Sequence, residues 1–209
     1  MGMPAFDLHG VPLSEPVSDQ RAAPRFTALI RSAKLICGQG EFVCVVRDVS
    51  VSGVRLRCFH TVPRDAAMAL ELQNGDVLDI VPVRQEGCEA SFRFAGDVAI
   101  ERLIGEGGLY PRRLLRLNLA IPLTLRTLTG PVPAVTRNIS QQGCRVECGV
   151  PLALAQPVIV ESRQLPGIRA KVRWRHDGAC GLVFDDTFSL RDFAIHTARL
   201  QCPALAPAS

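Results

Sequence analysis

An internal repeat is the feature that most constrains how this chain can fold. Residues 47–53 (RDVSVSG) recur as residues 137–143 (RNISQQG), so that Asn138 stands 90 positions after Asp48. Each copy is followed by apolar residues at alternate positions, as expected for a half-buried strand: Val54, Leu56 and Cys58, and then Cys144, Val146 and Cys148. Because such repeats mark repeated structural units, the 209 residues predict two similar domains.

Two further matches share this spacing. Upstream, an Arg-x-x-x-Arg segment occurs as Arg21/Arg25 and again as Arg112/Arg116, at an offset of 91 residues. Downstream, residues 91–94 (SFRF) align with residues 181–184 (GLVF) at an offset of 90. Three signals that share one offset to within a residue predict that both repeats carry the same motifs in the same order.

Short strand-like segments separated by turn residues predict an all-β fold. Apolar residues at every second position from Leu117 to Leu125 indicate the first strand of the second copy. Later strands are predicted over 68–72, 77–83 and 89–94, and over 158–161, 168–175 and 180–184. This pattern is typical of small antiparallel barrels. A short helix is predicted after each copy, over 98–104 with Asp97 as its cap and over 190–200 with Ser189 as its cap.

These elements predict a division of the chain into two domains. We expect an N-terminal tail (1–19), a first domain (20–104), a linker (105–111), a second domain (112–201) and a C-terminal tail (202–209). The net charge of +4 is too small to indicate a general nucleic-acid binder. No secretory signal or membrane span is evident, which favours a cytoplasmic protein, with peripheral membrane contact left open. The eight cysteines lack a Cys-x-x-Cys pair and are interpreted as small buried thiols, without a metal site.

The repeated polar residues form a pattern suited to an anionic ligand. Paired arginines can converge on one anion, because the planar guanidinium makes two hydrogen bonds to phosphate or to a guanine edge. A carboxylate or carboxamide can bind a base edge, and a serine hydroxyl both donates and accepts. Glycine permits positive φ or close approach of a ligand. The candidate residues are Arg21, Arg25, Asp48, Ser50 and Gly53 in the first copy, and Arg112, Arg116, Asn138, Ser140 and Gly143 in the second.

Arg-x-x-x-Arg followed by Asp/Asn-x-Ser-x-x-Gly resembles the signature of PilZ domains. The resemblance covers about residues 20–104 and 109–201, and implies two tandem six-stranded antiparallel β-barrels, each followed by a short helix. It also implies that these ten residues bind cyclic di-GMP, with no further cofactor. The first copy departs from the family in having Val81-Pro-Val83-Arg84 where a Val-x-Trp-like strand is expected, and the second has an extra Arg113. The second copy is therefore the better candidate site.

The sequence favours a receptor over an enzyme, because neither Ser50 nor Ser140 has a histidine close by and no catalytic residue is indicated. We call the Arg-x-x-x-Arg segments, which contain Arg21/Arg25 and Arg112/Arg116, the Arg arms. We expect them to become ordered on cyclic di-GMP, to reorient the barrels, and so to signal to a protein partner that is not identified. One alternative is a PilZ-like interaction module of motility or pilus machinery that binds no nucleotide. Another is a nucleic-acid binder that uses the basic strand around Arg173, although no specific nucleic-acid partner is expected. Trp174 is interpreted first as a core residue and second as a base-stacking one.

Overall fold

The computed structural model describes residues 26–99, 114–163 and 166–207, with side chains from residue 31 onward. The first copy folds into a closed antiparallel barrel with the strand order β1-β2-β3-β6-β5-β4. Pairing of β1 with β4 closes the barrel. Its strands are β1 (Phe26–Cys37), β2 (Gly40–Ser50), β3 (Gly53–Cys58), β4 (Met68–Glu71), β5 (Val77–Glu86) and β6 (Glu89–Phe94).

The second copy repeats this topology. Its strands are hydrogen-bonded in the order β10-β11-β12-β9-β8-β7, and pairing of β7 with β10 closes the barrel. The prediction of two six-stranded barrels is confirmed. The strands are β7 (Pro122–Thr127), β8 (Gly130–Ser140), β9 (Gly143–Cys148), β10 (Pro157–Glu161), β11 (Ile168–His176) and β12 (Ala179–Phe184).

The segment before β7 differs from the sequence prediction in its hydrogen bonding. The alternation from Leu117 to Leu125 does bury the apolar side chains in the second core. The regular strand, however, begins only at Pro122. Upstream of it, the Thr136 hydroxyl takes part in the ladder, accepting from Ile121 N at 2.9 Å and donating to Leu119 O at 2.5 Å. A side chain here performs the role of a main-chain partner, which alternation alone does not reveal.

One α-helix occurs in the described residues, α1 (Leu190–Gln201), and Ser189 caps it as predicted. The Ser189 side chain accepts from the main-chain N–H of Asp192 at 3.1 Å. The buried face comprises Phe193, Ala194, Thr197 and Ala198. Of the helix predicted over 98–104, residues 100–104 lie outside the described residues, and Val98 is not helical. No helix within the described ranges is long and apolar enough to span a membrane.

The two barrels are in direct contact, and α1 packs against both. Phe193 lies in the core of the second barrel, whereas Ala198, further along α1, lies in the core of the first. Val43 of β2 is fully buried against the second core. Beyond α1, the main-chain N–H of Thr61 donates to the Leu205 carbonyl at 2.9 Å. The helix that ends the second repeat is therefore shared by both barrels.

Candidate functional site

The turn between β8 and β9 carries three of the predicted site residues. A β-bulge between Thr136 and Asn138 interrupts the regular pairing just before this turn. The Ser140 hydroxyl donates to the Gly143 carbonyl at 3.1 Å, and only 2% of Ser140 is exposed. Ser140 therefore stabilises the turn, as serine hydroxyls commonly do.

Gly143 is required by the packing of the barrel itself. A Cβ atom at this position would clash with the main-chain carbonyl oxygen of Leu182 in the neighbouring strand β12. Gly53 is placed in the same way against the carbonyl of Phe92. Neither glycine adopts a positive φ. The structure thus gives both glycines a reason in strand-to-strand contact, where the sequence suggested positive φ or approach of a ligand.

Arg116 reaches the turn from the segment before β7. Its Nη1 donates to Oδ1 of Asn138 at 3.2 Å, so that one predicted arm residue and one predicted turn residue meet. The main chain is fixed here by Leu117 and Ile139, whose N–H and C=O groups form two mutual hydrogen bonds of 2.9 Å. Three predicted site residues, Arg21, Arg25 and Arg112, lie outside the described residues.

A surface depression of about 200 Å³, called the cleft below, lies beside this contact. It brings Arg116, Ser140 and Gly143 together with residues from neighbouring strands. Besides these, its lining includes Leu114, Gln142, Cys144, Arg145, Arg173, Trp174, Gly181, Leu182 and Val183. Enclosed small-molecule pockets usually measure about 300–1,000 Å³. A ligand of nucleotide size would therefore lie on the surface of the barrel and be only partly enclosed.

Trp174 is a wall of this depression rather than a core residue. Val172 pairs with Leu182, but Trp174 pairs with Gly181, so a bulge at Arg173 shifts the alternation of β11. Val172 therefore faces the core, whereas Trp174 is 41% exposed. The interpretation of Trp174 as a core residue is wrong, because one extra residue in a strand reverses the face of all that follow.

The depression is positively charged. The guanidinium groups of Arg145 and Arg173, both exposed, form no hydrogen bond or salt bridge with the part of the chain that the structure describes. Nearby Arg137 differs, since its Nη2 donates to Glu147 at 2.5 Å and lowers the pKa of that carboxyl. Burial raises the pKa of the Cys144 thiol to about 12, so this lining residue is a neutral thiol at neutral pH. Three arginines thus face one cleft, and none of the described residues that line it is a carboxylate.

The corresponding surface of the first barrel is neutralised. Arg55, which aligns with Arg145, is paired with Glu89 and lies 3.9 Å from Asp48. The aligned residues of the second barrel are Ala179 and Asn138, which carry no charge. Arg84 takes the place of Trp174, and its Nη2 lies 2.7 Å from Glu86. The two copies therefore share a fold and a turn but differ in the charge available to an anion.

Arg145 is a candidate binding residue that sequence reasoning missed. It lies in β9 opposite Asn138, and this register brings it beside Arg116. The repeat could have indicated it, because Arg55 and Arg145 align at the same offset as the signature residues. The sequence indicates Arg173 only as part of a basic strand.

The described ranges contain no group of three or more side chains able to hold a metal ion.

Comparison with known proteins gives a family match for one barrel. The PilZ domain model matches residues 110–196, which cover the second barrel and do not extend over the first. No curated protein matches the chain.

Several solved structures are similar to this chain. PlzA of Borreliella burgdorferi in complex with c-di-GMP shares 13% identity and a TM-score of 0.36, over 84% of this chain and 89% of that one. The Bacillus subtilis inhibitor of motility (MotI/DgrA) shares 12% identity and a TM-score of 0.34, over 83% and 94%. The PilZ domain of CeSA from a cellulose-synthesizing bacterium shares 19% identity and a TM-score of 0.32, over 43% and 97%. The PilZ domain model therefore matches the part of this chain that includes the closed six-stranded second barrel.

Proposed function

We propose that this protein is a cyclic di-GMP receptor and that the second barrel carries its principal binding site. The observation that supports this most is the cluster of Arg116, Arg145 and Arg173 around one open cleft, to which the described residues contribute no carboxylate. Such a cluster attracts a phosphodiester, and guanidinium groups bind phosphate through paired hydrogen bonds. PilZ domains bind cyclic di-GMP, and the match to that family covers this barrel.

The cleft also offers groups that suit a guanine base. The exposed indole of Trp174 can stack on a base, an interaction worth about 1–3 kcal/mol. The Asn138 carboxamide, at the edge of the cleft, can both donate to and accept from a base edge. In the proposed complex, Arg112 and Arg116 bind phosphate and guanine, while Asn138, Ser140 and Gly143 line the pocket of a base.

The equivalent residues of the first barrel form a weaker site in this proposal. Arg21 and Arg25 would act with Asp48, Ser50 and Gly53, but Arg55 is already neutralised by Glu89. An anion would have to displace that carboxylate, which weakens binding. We also propose that ligand draws Arg112 onto the cleft beside Arg116, whose main chain is already held, and changes how the barrels are oriented, which would signal to a protein partner. The contact of Arg116 with the first barrel supports this link, because Lys34 donates to the Arg116 carbonyl.

Calorimetric titration with cyclic di-GMP tests the proposal. We expect saturable binding that Arg116→Ala weakens by about 2–5 kcal/mol, as for other desolvated charge contacts. Arg126→Ala is the matched control, because Arg126 is an exposed arginine of the same barrel that pairs with Glu161 outside the cleft. No binding by the wild type would reject the receptor and favour an interaction module. Equal affinity of Arg116→Ala and wild type would reject the assigned site.

Small-angle scattering tests the proposed change in orientation. We expect the scattering profile of the intact protein to change between the ligand-free and the saturated state. An unchanged profile at saturation would reject the reorientation while leaving the binding proposal intact.

A further inference from the structure

A buried lysine of the first barrel lies at the boundary with the second. The Lys34 side chain of β1 is only 4% exposed. Its ammonium group has three N–H donors and faces three acceptors. These are Glu41 Oε2 at 3.2 Å, Glu71 Oε2 at 2.7 Å and the main-chain carbonyl of Arg116 at 3.3 Å. Two acceptors belong to the first barrel, and the third belongs to the arm that carries the Arg116 side chain to the cleft.

Glu41 binds the same arm two residues further along. Its Oε2 accepts from the main-chain N–H of Asn118 at 2.7 Å, and its Oε1 accepts from Asn118 Nδ2 at 2.8 Å. The main chain of Glu41 is itself fixed by Gln201 of α1, whose side chain accepts from Glu41 N at 2.8 Å and donates to Glu41 O at 2.7 Å. The segment 116–118 is therefore bound by two charged side chains of the first barrel.

The opposite edge of this segment is bound by the second barrel. Leu117, which lies between Arg116 and Asn118, is fully buried and pairs with Ile139, the residue after Asn138. The arm is thus held between Lys34 and Glu41 on one side and β8 on the other. Held in this way, Arg116 directs its side chain at Asn138, to which its Nη1 donates at 3.2 Å.

Stabilising the contact between the barrels does not by itself require the charged side chains of Lys34 and Glu41. Burying an ammonium group costs several kcal/mol unless carboxylates and hydrogen bonds offset the cost, and apolar side chains of similar volume often stabilise an interface as well. Charged groups also determine the position of the segment that they bind, because each directional hydrogen bond fixes one main-chain atom of that segment. The atoms fixed here are the Arg116 carbonyl and the Asn118 N–H.

We propose that Lys34 and Glu41 of the first barrel are positioning residues for the anion-binding cleft of the second barrel. By holding the main chain of residues 116–118, they place the Arg116 guanidinium where a phosphodiester can bind. This inference rests on the proposed function for the identity of the ligand. It makes the first barrel a structural part of the second barrel's site, whether or not the first barrel binds ligand itself.

A double-mutant cycle by calorimetry with cyclic di-GMP tests the positioning role, because only coupled residues deviate from additivity. We expect Lys34→Met to weaken binding at least about tenfold, or about 1.4 kcal/mol. In an Arg116→Ala background, the same substitution should cause little further loss, since it acts through Arg116. Arg126→Met, which removes an exposed cation that pairs with Glu161, should bind like the wild type. Independent losses from Lys34→Met and Arg116→Ala would overturn the proposal, and so would unchanged affinity of Lys34→Met.

Asn118→Ala keeps the test valid if Lys34→Met does not fold. This variant retains all charges and removes the hydrogen bond by which the exposed Asn118 side chain orients the Glu41 carboxylate toward the Asn118 N–H. We therefore expect it to fold and to weaken binding about threefold or more. Wild-type affinity in Asn118→Ala would then overturn the proposal.

Trp174 separates failure of this inference from failure of the proposed function. As the only tryptophan, and one that lines the cleft with Arg116, it reports on the cleft without nucleotide. If the wild type binds no cyclic di-GMP, the proposed function fails. The ratio of iodide quenching to acrylamide quenching of Trp174 fluorescence still tests whether Lys34 and Glu41 position Arg116. We expect Asn118→Ala and Lys34→Met to lower this ratio as Arg116→Ala does, because a displaced cation no longer attracts iodide. If both variants have the same quenching ratio as the wild type, the positioning role of Lys34 and Glu41 is overturned.

Discussion

The indole of Trp174 lies against the backbone of Gly181, in the space that a Cβ atom on Gly181 would fill. The bulge at Arg173 makes this contact possible, because it turns Trp174 outward and sets it opposite Gly181. In the first barrel the aligned pair is Arg84 and Ser91, which cannot form the same aromatic wall. The wall of the cleft is therefore a property of the second barrel, as is the charge that faces it.

Gly181→Ala should displace the Trp174 side chain, because its new methyl group would occupy the position of the indole ring. We expect a shift of the tryptophan emission maximum and weaker binding of cyclic di-GMP, by up to about 1–3 kcal/mol if a base stacks on the ring. Gly149→Ala is the matched control, since no atom lies within 4 Å of the Cβ position there. The assigned contact is wrong if the two variants have the same emission spectrum.

Gly143→Ala should destabilise the fold, because the atom that its methyl group meets is the main-chain carbonyl of Leu182, which belongs to a paired strand. Overpacking of this kind typically costs about 1–3 kcal/mol. Urea denaturation measures the loss. Gly96→Ala, where the Cβ position is open, should unfold at the wild-type midpoint. A wild-type midpoint for Gly143→Ala would show that the turn glycine is not required by strand packing.

Arg145→Gln should weaken binding of cyclic di-GMP about tenfold or more, because it removes from the cleft a cation that forms no salt bridge with the described residues. The affinity should also depend less on salt, since one charge contact fewer is screened. Arg137→Gln is the control, as the Arg137 guanidinium is already paired with Glu147 and does not line the cleft. Calorimetry at two ionic strengths decides the point, and equal losses in both variants would argue against a specific role for Arg145.

Histidine protonation should make the fold less stable in mild acid. The Nδ1–H of His60 donates to the Thr61 carbonyl at 2.8 Å, while its buried Nε2 has no partner in the described structure. Burial lowers the pKa of His60, so the folded state binds this proton less readily than the unfolded chain does. The stability contributed by neutral His60 is therefore complete above about pH 6.5, the unfolded pKa, and is lost as the pH falls toward the folded pKa.

Urea unfolding of the wild type and of His60→Leu checks this at about pH 7.5 and at about pH 5.5, on either side of the unfolded pKa. We expect the wild type to lose more free energy of unfolding between these values than His60→Leu does. His176→Gln, which alters an exposed histidine, should behave like the wild type. Parallel losses in the wild type and His60→Leu would assign the acid sensitivity to other groups.

The repeat made much of the fold predictable, because period-two alternation and turn residues at one offset are properties of each strand by itself. Strand β6 was predicted over 89–94 and is found over Glu89–Phe94. Local pattern also identified Ser189 as the cap of α1. What failed was the face of Trp174, because the bulge at Arg173 reverses alternation and leaves no mark in the sequence.

The site was predictable only in part, for a related reason. Arg116 and Asn138 carry the motif, and the structure brings them together. Arg145 joins them through the register of β8 with β9, and Lys34 reaches the arm from the other barrel. Contacts across strands and between barrels depend on register and docking, neither of which a pattern within one segment encodes.

The fluorescence of Trp174 during a titration with cyclic di-GMP tests directly whether the second barrel binds this nucleotide. Because this single tryptophan lines the proposed cleft, its emission reports directly on the binding site of the second barrel. We predict a saturable change in emission with cyclic di-GMP that is weakened or lost in Arg116→Ala. Constant emission up to about 1 mM ligand, equivalent to a binding free energy no better than about −4 kcal/mol, would contradict the account.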